Sequence, residues 1–176
     1  MTYIEAYDPL TEGFTSGFWN IPLVGKWAEE NIDADVFIKI DLDMYLIRPL
    51  PREMFADLSC TLVGRHDRYA EAHLAAVSAR YPMYEYFFNT GFTISEKKSR
   101  FFSKQLEYLT WLDETFVSLG SDEFQRMYGL TVRDNVNRDD PSATERRLFE
   151  EICVSFMYAD GVPIYPLSNY YLHAVS

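Results

Sequence analysis

Between Trp19 and Glu30, Leu23, Val24 and Trp27 recur at helical spacing, which predicts a helix. A polar break, Asn31 to Asp35, precedes Val36-Phe37-Ile38-Lys39-Ile40, a β-branched and aromatic run that ends abruptly in acid. That pattern predicts a buried strand leading into a functional loop, and Tyr45 to Ile47 reads as a short second strand. Pro51 suits the first turn of a helix, so Arg52 to Leu58 is expected to be helical. Cys60 to Gly64 reads as a strand, and the alanine-rich Ala70 to Arg80 as a helix ending before Pro82. Phe88 to Ser95 is strand-like but interrupted at Asn89-Thr90-Gly91, and Lys97 to Thr115 is a long amphipathic helix carrying Phe101, Leu106, Leu109 and Leu112. Arg133 to Pro141 is polar loop. Ser142-x-x-Glu145 is a capping box ahead of the helical stripe Leu148, Ile152, Phe156. Asp160-Gly161 turns the chain into a last strand, Val162 to Tyr165, while Met1 to Ser16 reads as loop. Strands alternating with helices imply an α/β fold, a mainly parallel sheet flanked by helices. No repeat, low-complexity tract or linker divides the chain, so residues 1–176 are expected to form one domain.

Composition narrows the function. The 176 residues are 48% hydrophobic and 24% charged, as in a globular domain with a single core. A net charge of −11 leaves no basic stripe for nucleic-acid phosphates. If the ligand is itself an anionic phosphate compound, something positive must stand between it and the protein, and a divalent cation is the natural solution. The aromatic content of 16% fits either buried rings or a ring-lined cleft. Cys60 and Cys153 stand apart, outside any C-x-x-C pair, and read as two reduced thiols or one bridge. The first residues lack a basic and apolar leader pattern, and no stretch approaches the ~20 apolar residues of a membrane span, so a soluble, cytoplasmic chain is expected.

The strongest chemical signal is Phe37-Ile38-Lys39-Ile40-Asp41-Leu42-Asp43. In open α/β sheets, ligands collect beyond the carboxyl ends of strands, where Asp41 and Asp43 stand. Carboxylates there suit Mn2+ or Mg2+, which need few protein ligands when substrate phosphates supply the rest. At Asn89-Thr90-Gly91, a glycine inside a strand marks a bulge or a close backbone approach, and the asparagine offers both donor and acceptor.

The block Val36 to Pro51, VFIKIDLDMYLIRPLP, resembles the D-x-D region of GT-A-type glycosyltransferases. Phe88 to Ser95, FNTGFTIS, resembles that family's second hallmark, a strand with Asn-small-Gly against the donor sugar, and Ala159 to Leu167 resembles its late strand. Together the similar parts run from about Trp19 to His173. The resemblance implies a GT-A-like, Rossmann-like fold and transfer of a sugar from a nucleotide-sugar donor to a saccharide, lipid-linked or protein acceptor. It implies Asp41 and Asp43 as metal ligands, with His173 completing the site as in one branch of the family. Asn89, Thr90 and Gly91 would line the donor pocket, with Lys26 and Asp67 as further donor-binding candidates. Among Glu145, Glu150 and Glu151, the last is preferred as the acid that activates the acceptor; Glu145 doubles as the capping-box partner, and Glu150 and Glu151 fall off the apolar stripe.

GT-A domains usually carry a nucleotide-binding unit before the D-x-D, whereas the forty residues before Asp41 read as loop and one helix. The expectation is a domain shortened at its N-terminus, or one whose nucleotide site a partner chain completes. Two other readings stand beside transfer. A degenerate, non-catalytic relative would bind without turnover. A haloacid-dehalogenase-type phosphatase would use Asp41 as nucleophile, but that pattern wants a small residue where Tyr45 stands.

Overall fold

The computed structural model describes residues 19–41, 44–52, 55, 58, 60–65, 88–128, 149–167 and 172–174. In chain order the elements are α1 (Asn20–Asn31), β1 (Val36–Ile40), β2 (Met44–Leu46), β3 (Thr61–Arg65), β4 (Phe88–Glu96), a 3-10 turn (Lys97–Ser99), α2 (Phe101–Leu119), α3 (Ser121–Tyr128), α4 (Phe149–Ala159), β5 (Ile164–Leu167) and β6 (Leu172–Ala174). Outside the described residues lie the loop expected at Met1 to Ser16, the helix at Ala70 to Arg80, the loop from Arg133, the capping box, and most of the helix at Arg52 to Leu58.

The chain is mixed α/β. Four strands form an open sheet in the order β1-β4-β3-β5, and β2 pairs with β6 in a separate two-stranded sheet. The expectation of a mainly parallel sheet needs correction. β4 runs antiparallel to both neighbours, and only β3 and β5 pair in parallel. β1, β3 and β5 therefore point one way, with β4 reversed between them. An apolar run predicts a strand but carries no direction, and alternation of strands with helices does not by itself make every connection a parallel crossover.

Strand alternation sends consecutive residues to opposite faces. Val63, Phe88 and Ile164 join the helices in one core with Leu109, Leu112, Phe116, Val154 and Met157. On the other face Leu62, Phe92, Ile94 and Leu167 form a second cluster, with Val36, Met44 and Leu50 packed against it. β1 is the edge strand of this sheet among the described residues. Ile38 (55%) and Ile40 (45%) are exposed, so the strand is less buried than its apolar run predicts.

α1 is held to α2 by two devices. At Gly25 a side chain would run into the ring of Phe102, so the glycine permits close helix contact. Buried Glu29 accepts hydrogen bonds from Phe102 N (2.8 Å), Ser103 N (3.1 Å) and Ser103 Oγ (2.6 Å). The residue before α2, Arg100, has left-handed φ of 50° and offers no side-chain cap. Glu29 supplies one from another helix, putting an anion at the positive end of the α2 dipole. Val24 is exposed rather than part of the inward stripe. Gly120, at φ 75°, ends α2 before α3 begins. No described helix is long and apolar enough to cross a membrane. Cys60 and Cys153 are not in a disulfide; Cys153 is buried and Cys60 partly so.

Candidate functional site at the end of β1

Asp41 directly follows β1. Its N–H donates to Gly91 O at 2.8 Å, which continues the β1–β4 ladder one residue past the strand. Its carbonyl accepts from Met44 N at 3.0 Å; Asp43, between the two in sequence, lies outside the described residues. The expected interruption of β4 is present as a shift in register. Val63 pairs with Thr93, but the next residue, Gly64, pairs with Asn89, so residues 90–92 leave the β3 ladder. Asn89 Oδ1 accepts from Gly91 N at 2.8 Å and holds the irregular stretch from within.

Gly91 is demanded by its own neighbours. A Cβ there would run into Met44 Sδ and come within 2.7 Å of Asn89 Oδ1 and 3.0 Å of Asp41 Oδ2. The close approach anticipated at this glycine is thus made by the chain itself.

Thr90 turns toward the helices. Its hydroxyl donates to Glu150 Oε1 at 2.6 Å, and its carbonyl accepts from Lys39 Nζ at 2.6 Å. Lys39 also pairs with Asp41 Oδ1 at 2.7 Å and stands 3.8 Å from Glu150 Oε1. One ammonium therefore sits between two carboxylates from different elements. The Glu150 backbone is fixed as well, since its carbonyl accepts from Gln105 Nε2 (3.2 Å) and Cys153 Sγ (3.0 Å). Burial raises the Glu150 pKa above the usual carboxylate range, outweighing the opposing pull of Lys39 and the Thr90 hydrogen bond; Glu151 and Asp41 add to the rise. Burial likewise pushes the Cys153 thiol well up, reinforced by the charge of Glu150.

The candidates named from sequence do not all come together. Asp41, Asn89, Thr90 and Gly91 come together at one end of the β1–β4 pair. Lys26 does not join them; it lines a shallow groove between α1 and α2 with Glu30, Arg100 and Trp111. Asp43, Asp67 and Glu145 lie outside the described residues. His173 is described by its backbone, which pairs with Tyr45 in the β2–β6 ladder and so returns the late chain beside the strand that follows Asp43.

Glu150, which falls off the apolar stripe in sequence, is nonetheless 4% exposed, bonded to Thr90 and in ion-pair reach of Lys39. Glu151 is partly exposed. Lys39 was missed, although a lysine inside an apolar strand, two residues before the acid, was its signal. Among the described residues no three His, Cys, Asp or Glu are grouped closely enough to hold a metal ion. Asp41 nevertheless fits as one carboxylate ligand, because its side chain is 40% exposed and only Oδ1 is taken by Lys39. Comparison with protein-family models, with curated proteins and with solved structures finds no match in any of the three.

Proposed function

We propose that this chain is a metal-dependent glycosyltransferase of the GT-A type, which moves a sugar from a nucleotide-sugar donor to an acceptor at the Asp41 end of β1. One observation carries the reading. Asp41 and Asn89-Thr90-Gly91, singled out separately in the sequence, are in direct contact through the Asp41 N–H to Gly91 carbonyl bond. A polar site at the carboxyl end of a strand is where open α/β sheets take ligands. Mn2+ or Mg2+ needs only one or two carboxylates when substrate phosphates complete its shell, and Asp41 has an oxygen to give. When bound, such an ion neutralises the diphosphate and stabilises its departure.

Asp43 is proposed as the second ligand and His173 as the third; the pairing of β6 with β2 supports the latter by bringing the His173 backbone alongside Tyr45. The donor sugar rests against the Asn89–Gly91 stretch. Glu150 is buried and bonded to Thr90, so Glu151, the partly exposed acid of the pair, is the proposed base for the acceptor. The test is release of nucleoside diphosphate from a panel of sugar-nucleotide donors in Mn2+. The wild type is expected to release it and Asp41→Asn is not; no release from any donor, with tight binding of one, would favour the non-catalytic reading.

A further inference from the structure

We infer that Lys39 is a built-in counter-cation of this edge, a positioning residue that passes from Asp41 to Glu150 when a divalent cation takes the Asp41 carboxylate. The inference rests on the reading of Asp41 as a cation ligand.

Three distances carry it. Lys39 Nζ lies 2.7 Å from Asp41 Oδ1, 2.6 Å from Thr90 O and 3.8 Å from Glu150 Oε1. An ammonium has three N–H donors, and two are used on Asp41 and on the Thr90 carbonyl. Glu150 is within ion-pair reach but beyond hydrogen-bond length, so it is an acceptor held in reserve. A shift of about 1 Å would bring Nζ to the usual charge-assisted length on Glu150. The Thr90 carbonyl can stay bonded throughout and act as the pivot.

The receiving side is rigid. Glu150 is fixed through Oε1 by Thr90 and through its carbonyl by Gln105 and Cys153. Burial runs in the same direction, with side-chain exposure of 40% at Asp41, 16% at Lys39 and 6% at Glu150. A cation arriving from solvent meets Asp41 first, and like charges on one carboxylate repel. Lys39 has only one anionic refuge among the described residues around it, and that refuge lies inward. In this way the lysine compensates Asp41 before the ligand arrives and remains beside the diphosphate afterwards.

The test is calorimetric titration of the full chain with Mn2+ alone. Asp41→Asn is expected to abolish binding, which tests the underlying reading separately. Lys39→Met removes the competitor and is expected to bind Mn2+ about tenfold more tightly. Glu150→Gln keeps an acceptor for Thr90 but weakens the refuge, so Mn2+ binding falls about fivefold in the presence of Lys39. In the Lys39→Met, Glu150→Gln double variant that loss shrinks below about twofold, because there is no ammonium to relocate. Lys39→Gln serves if the methionine variant does not fold, with the same expected direction. A Lys39 variant that binds Mn2+ no more tightly than wild type would overturn the inference while leaving Asp41 as a ligand. An equal Glu150→Gln loss in both backgrounds would overturn it too, since that is a field effect without relocation. Absence of Mn2+ binding in wild type and in the Lys39 variants would remove the reading beneath it.

Discussion

Replacing Glu29 by alanine should be among the most damaging single changes outside the core, although the residue looks from sequence like an ordinary helix-surface acid. Its two oxygens accept three hydrogen bonds at the start of α2, two from backbone N–H groups and one from the Ser103 hydroxyl. The residue is 5% exposed, so water cannot readily take over. Each hydrogen bond to a charged acceptor is worth about 1.5–3 kcal/mol, and losing a helix cap costs about 1 kcal/mol. Against this, the variant no longer buries a carboxylate, and the serine hydroxyl can rotate to another acceptor. The net loss should be about 3 kcal/mol. Urea unfolding at neutral pH would show it as a midpoint lower by about 1 M or more for an ordinary m-value. Glu30→Ala is the control. Its carboxylate is exposed and only 3.6 Å from Arg100, so the change should cost less than about 1 kcal/mol. If Glu29→Ala and Glu30→Ala unfold at the same urea concentration, the cross-helix cap contributes nothing and the reasoning fails.

Gly91→Ala should lower the thermal midpoint by an amount equivalent to about 1–3 kcal/mol, because its methyl meets Met44, Asn89 and Asp41; an unchanged midpoint would mean that these groups yield freely. Tyr108 donates to Asp160 Oδ2 at 2.7 Å, and burial, then the Asp160 bond and charge, push its pKa from 10.0 to about 12. A raised folded-state pKa gives stability that is complete below the unfolded value and lost as pH climbs through the folded one. The stability difference between wild type and Tyr108→Phe should therefore hold to pH 10.0 and decline toward about 12, and a flat difference across that window would contradict the assignment.

Strand existence was legible where the signal was local. Val36–Ile40 stands out as an apolar run cut off by acid, and the Asn89–Gly91 interruption is visible as polar and glycine residues inside a strand pattern. Strand direction was not, because the pleat has the same period read either way. The burial of Glu150 was hidden for another reason. α4 is buried from Phe149 to Met157 except at Glu151, so no polar face exists for periodicity to find. Lys39 depended on tertiary contact with α4, which no spacing along the chain reports. β6 is three residues long and is defined by its pairing with β2, which no local pattern reports, and α3 mixes charge with a single buried ring, Phe124.

The central claim, sugar transfer at a cation held by Asp41, is tested most directly by following donor consumption by NMR for wild type and Asp41→Asn, with Mn2+ and after its removal by chelator. The account predicts that wild type consumes at least one sugar nucleotide in Mn2+, and that chelation stops it. It also predicts that Asp41→Asn, with its fold intact by circular dichroism, is slower by about a hundredfold or more. Consumption that survives both chelation and the Asp41 substitution would contradict it.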